Sequence, residues 1–61
     1  MITVQVIGKT VDEAKALCES ANMRLRITRT DGVAHIVTMD YRTDRVNVHV
    51  ENGKVTKATI G

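Results

Sequence analysis

The chain lacks tryptophan and phenylalanine, and Tyr41 is its single aromatic residue. Core volume must therefore come from Val, Ile, Leu, Met and Ala. One cysteine, Cys18, excludes an intramolecular disulfide. No Cys/His cluster has metal-ligand spacing, and His35 and His49 lie far apart, so a structural metal is not expected. No apolar run approaches membrane-spanning length, so no membrane partner is expected. Charge of one sign is also scarce: nine Lys/Arg face seven Asp/Glu, a net of +2. With no stacking aromatics beside it, that balance argues against a nucleic-acid partner. Arg24, Arg26 and Arg29 read as the solvated face of a strand.

What remains is 61 residues, enough for one small domain, residues 1–61. Without disulfide or metal, it must rest on one compact apolar core, helped if at all by self-association. Met1 has the form of a native start and the lone thiol suits a reducing compartment, which favours the cytoplasm. A leader removed from the chain would instead place it outside the cell.

Ile2, Val4 and Val6 alternate with Thr3 and Gln5 and predict a short first strand. An exposed first strand would offer an edge for homodimer pairing. Thr10-Val11-Asp12-Glu13 has the form of a capping box. Val11, Ala14, Leu17, Cys18 and Ala21 follow at helical spacing, predicting a helix over 11–21 ended by Asn22. Cys18 reads as a small buried hydrophobe. Met23, Leu25 and Ile27 alternate with Arg24, Arg26 and Thr28 in a second strand. Val46, Val48 and Val50 form a third, and Asn52-Gly53 turns the chain into a last strand over 54–60.

Between Gly32 and Asp44 the pattern allows two arrangements. Val33 to Met39 can form a further strand, folded back through Thr30-Asp31-Gly32 into an antiparallel meander. Propensity alone leans that way, and such a meander names no function. Alternatively, the segment is a long connection that leaves its neighbouring strands parallel. His35 reads as a loop or surface histidine in either case.

One run bears on this choice. Val37-Thr38-Met39-Asp40-Tyr41-Arg42, continued by Asp44-Arg45-Val46, resembles the exposed loop and following strand of the potato inhibitor I family of serine-protease inhibitors. Ile7-Gly8-Lys9-Thr10, the Glu13-Ala14-Lys15 of the helix and the closing Ile60-Gly61 are similar to other parts of that family. Small bacterial elastase-type inhibitors share Asp40-Tyr41-Arg42, Asp44-Arg45 and Asn47. The chain departs from the family in a longer approach, Asp31 to Ile36, in a last segment without the frequent proline, and in Asn47, where plant-type members carry a second supporting arginine.

The resemblance implies an α+β fold: one α-helix packed on a small mixed sheet, with a long exposed loop in place of the meander. It implies a reversible, substrate-like inhibitor of chymotrypsin- or subtilisin-type serine proteases, without cofactor and with no catalytic residue of its own. Met39 would enter the protease's primary specificity pocket, making Met39–Asp40 the candidate scissile bond. Val37 and Thr38 would line the enzyme's edge strand, while Tyr41 and Arg42 would lie on the leaving side. Arg45 and Asn47 would hold Thr38 and Asp40 from beneath. A binding or structural module that keeps the scaffold without inhibiting is the alternative.

Overall fold

A computed structural model describes residues 1–61. Helix α1 spans Ile2–Gln5 and helix α2 spans Val11–Ser20. Four strands follow: β1 Arg24–Thr30, β2 Val33–Ala34, β3 Arg45–Glu51 and β4 Lys54–Ile60. They form one mixed sheet in the order β2-β1-β3-β4. The fold is α+β, with α2 packed on the sheet. No helix is long and apolar enough to cross a membrane.

The capping box that opens α2 is complete. Thr10 Oγ1 accepts from the Glu13 amide at 3.2 Å, and Glu13 Oε1 accepts from the Thr10 amide at 3.0 Å. The bonds from Thr10 hold the Glu13 carboxyl below its usual range. The helix closes through Asn22, whose φ of 58° lies in the left-handed region that asparagine tolerates. Ala14 and Cys18 are fully buried on its inner face, with Val11 and Leu17 partly so. Burial pushes the Cys18 thiol up. Ala21 is the exposed C-cap rather than part of the buried stripe.

Ile2–Gln5 is a helical turn, not the expected strand. Alternation at 2, 4 and 6 also satisfies the i, i+4 spacing of a helix. Ile2 and Val6 share the inward face, with Val6 fully buried, while Val4 points to solvent. The chain then pairs with β4: the Gly8 amide donates to the Val55 carbonyl at 2.8 Å, and Val55 returns a bond to Lys9 at 2.9 Å. Docking of Val6 and this pairing override the strand propensity of the valines. The expected first-strand edge for a homodimer is therefore replaced by a helical turn.

The central pair decides the topology. β1 and β3 run parallel, with Leu25 opposite Val46 and Ile27 opposite Val48. Only Val33 and Ala34 of the anticipated meander pair with β1, antiparallel to Arg29 and Thr30. Asp31 (φ 49°) and Gly32 (φ 81°) make that turn, and Asn52 (φ 51°) and Gly53 (φ 76°) join β3 to β4. Positive φ at both central residues matches the right-handed twist of the strands they connect. The two turns are tied together, because Asp31 Oδ1 accepts from the Asn52 amide at 2.8 Å.

Val46, Val48, Val50 and Val55 form the floor of the core against Val6, Ala14 and Cys18. With no ring to fill space, each valine carries a large share of the burial. Val48→Ala is expected to cost about 2–3 kcal/mol from lost burial and the cavity left behind. A chain of this length has only about 3–9 kcal/mol in total. A fall in the urea midpoint at unchanged slope checks this; an unchanged midpoint would contradict the valine core.

Candidate functional site

Parallel β1 and β3 must be joined by a long excursion, and after Ala34 the chain makes it. Residues 35–44 belong to no strand. The excursion is held at its start by the His35 amide, which donates to the Thr28 carbonyl at 2.9 Å. The His35 ring bonds Thr30 Oγ1 through Nε2 at 2.8 Å. At its end the Arg24 amide donates to the Asp44 carbonyl at 2.8 Å. In between, Val37 is half-buried while Ile36, Met39 and Tyr41 face solvent. Met39 is 96% exposed, so its thioether packs against nothing in the molecule.

The backbone on either side of Met39 is braced from the polar face of the sheet. Arg26 on β1 donates through Nη1 to Thr38, at 3.2 Å to the carbonyl oxygen and 3.2 Å to Oγ1. Arg45 on β3 donates through Nη2 to the Asp40 carbonyl at 2.6 Å. Its Nη1 lies 3.5 Å from Asp40 Oδ2. Thr38 Oγ1 donates across Met39 to Asp40 Oδ1. Two guanidinium groups thus grip the residues flanking Met39, and those residues bond each other. A recess of about 250 Å³ lies beneath, lined by residues that include Arg26, Val37, Asn47 and Gly61.

Arg45 is only 8% exposed. Its Nε and Nη2 donate to the Gly61 carbonyl oxygen at 3.1 and 2.7 Å. The Gly61 amide donates back to the Arg45 carbonyl at 3.1 Å, and the Arg42 amide donates to Gly61 at 3.2 Å. Gly61 therefore fixes the base of the arch. A Cβ at Gly61 would stand 2.9 Å from Asn47 Nδ2, so glycine leaves room for that amide. The Arg42 side chain turns along the loop and pairs in two bonds with Asp44, at 2.9 and 3.0 Å. That pairing holds the Asp44 carboxyl below its usual range.

Asn47 takes a different part from the one expected of it. The donor to Thr38 is Arg26, and Asn47 Oδ1 accepts from Arg26 Nε at 2.8 Å. Arg26, on the adjacent strand, is the side chain that reaches the arch. Arg26 read from the sequence as one of three solvated arginines. Its signal was available only through register: in the parallel pairing, Arg26 and Asn47 are cross-strand partners.

The bond from Thr38, with Arg45 nearby, holds the Asp40 carboxyl below its usual range. A depressed carboxyl stabilises the folded arch at any pH above its unfolded-state value. That contribution is lost as pH falls through the lower folded-state value. The arch is therefore expected to stay braced down to about pH 4 and to loosen only in stronger acid. Asp40 is half exposed, so solvent keeps the effect small. Thermal unfolding from pH 7 to 2 should show Asp40→Asn less stable than the parent at neutral pH, the gap closing at the acid end. A constant gap would contradict the linkage.

The Potato inhibitor I family model matches residues 5–59, nearly the whole chain. The chain belongs to that family, whose members are serine-protease inhibitors and not enzymes. A comparison with curated proteins gives no match.

Proposed function

We propose that the chain is a reversible, substrate-like inhibitor of chymotrypsin- or subtilisin-type serine proteases and that it offers Met39–Asp40 to the enzyme. The observation that carries this reading is the fully exposed Met39 between two residues pinned to the sheet by Arg26 and Arg45. A flexible, unbranched thioether suits an apolar specificity pocket. Val37 and Thr38 offer backbone groups for pairing with the enzyme's edge strand. Tyr41 and Arg42 fall on the leaving side.

Inhibition follows from order already present. The entropy of fixing the loop is lost during folding, so binding does not bear that cost. When the enzyme's serine attacks the Met39 carbonyl, the new amine on Asp40 is not free to diffuse, because Arg45 holds the adjoining carbonyl. An amine kept beside the acyl group has a high effective concentration, and reforming the peptide bond competes with water.

The test is to mix the protein with chymotrypsin and with subtilisin, following residual activity and the mass of the inhibitor. Tight inhibition with slow, incomplete cleavage at Met39–Asp40 is expected. Fast, complete cleavage there without inhibition would reject this reading and leave a non-inhibitory module on the same scaffold. Inhibition with cleavage at another bond would reject the assignment of Met39.

A further inference from the structure

We infer that Arg26, oriented by Asn47, is the positioning residue that ties the two sides of the Met39–Asp40 bond together. This rests on the function proposed above and assigns the tie to a strand that precedes the loop.

The connectivity of the braces carries the inference. Arg45 lies in sequence on the same side of Met39–Asp40 as the Asp40 that it holds. Arg26 likewise lies on the same side as the Thr38 that it holds. Each guanidinium therefore grips the end belonging to its own part of the chain, and neither grip alone keeps the two ends in register if the bond opens. Side-chain links across the bond are few at the arch. Thr38 bonds Asp40 directly, Arg26 Nη1 lies 3.9 Å from Asp40 Oδ1, and Arg26 Nε donates to Asn47. Of these, the bond to Asn47 is anchored in the sheet at both ends, because residues 26 and 47 face each other in the β1–β3 ladder.

The geometry suits that task. The planar fork of Arg26 spends Nε on Asn47 and Nη1 on Thr38, so one side chain fixes the height of the arch and its lateral position. Asn47 holds the fork flat by accepting at 2.8 Å. Arg24 and Arg29 on the same strand are exposed, whereas Arg26 is partly buried under the arch. The three arginines of β1 are thus not equivalent, although their spacing made them look so. Losing one charge-assisted tie of this kind is expected to change binding by about 10–100-fold.

The experiment compares Arg26→Ala, Asn47→Ala, the double variant and Arg24→Ala as control, each checked for folding by its amide NMR spectrum. Two readouts are taken: the rate and final extent of cleavage at Met39–Asp40 by chymotrypsin, and the order parameters of residues 38–41 in the free protein. Arg26→Ala and Asn47→Ala should each raise cleavage by about tenfold or more and disorder residues 38–41. The double variant should be little worse than either single one, since both remove the same link. Arg24→Ala should leave both readouts unchanged. Adding Asn47→Arg to Arg26→Ala, which supplies a guanidinium from β3, should restore part of the loss.

Arg26→Ala with unchanged loop order and unchanged cleavage overturns the inference, as does additive behaviour of the two single variants. The order parameters need no protease. If the parent protein inhibits neither enzyme, the proposed function fails by itself, while disorder of 38–41 in Arg26→Ala still supports the tie and its absence still overturns it.

Discussion

Met39→Lys should abolish most inhibition of chymotrypsin-type enzymes while leaving the fold intact. The side chain at 39 is 96% exposed and makes no packing contact to lose, so unfolding should move by no more than about 0.5 kcal/mol. In the complex the situation reverses. An ammonium driven into an apolar specificity pocket loses its hydration without gaining a partner, at a cost of several kcal/mol. At about 1.4 kcal/mol per tenfold, weakening near a thousandfold is expected. Enzymes with a carboxylate at the base of that pocket should gain correspondingly. Inhibition constants against chymotrypsin and trypsin measure both directions together. An equal effect on the two enzymes, or no effect, would show that residue 39 does not enter the pocket.

Arg45→Ala is expected to damage both stability and inhibition, unlike Met39→Lys. The side chain is nearly inaccessible, and its loss leaves the buried Gly61 oxygen without two of its donors. It also releases the Asp40 carbonyl, held at 2.6 Å. Removing a charged partner from buried acceptors costs about 2–4 kcal/mol, a large part of the total for so small a chain. Urea unfolding should record the loss, and cleavage at Met39–Asp40 should become fast. Arg45→Lys should recover little, because one ammonium cannot reproduce a fork shared between Asp40 and Gly61. A variant of parental stability that still resists cleavage would rule out this residue as the brace.

Local devices were legible in the sequence and long-range ones were not. The Thr10–Glu13 capping box, the Asn22 terminator and the Asn52-Gly53 turn each depend on residues a few positions apart, and each forms as the sequence predicts. Ile2, Val4 and Val6 misled because three alternating positions fit two periodicities, and only docking against β4 chooses between them. The parallel pairing of β1 with β3 leaves no local mark at all. Val33 to Met39 carries the composition of a strand along its length, yet pairing stops after Ala34. Only likeness to a family favoured a loop there. Arg26 was hidden for the same reason: its partner Asn47 is 21 positions away, and no pattern along the chain joins them. The anchoring of Arg45 on Gly61 spans 16 positions and was likewise invisible.

The single aromatic ring stands on the arch and not in the core. Tyr41 is 72% exposed, and its ring edge lies beside Gly61 at the base. Intrinsic fluorescence of this molecule is therefore blind to the valine interior and reports on the segment beside Met39. Under the proposed function, optical titration with a tryptophan-bearing enzyme should quench this emission as the segment beside Met39 is covered. By the same token, tyrosine emission along a denaturation curve would report on the surroundings of the arch, and circular dichroism on the helix and sheet.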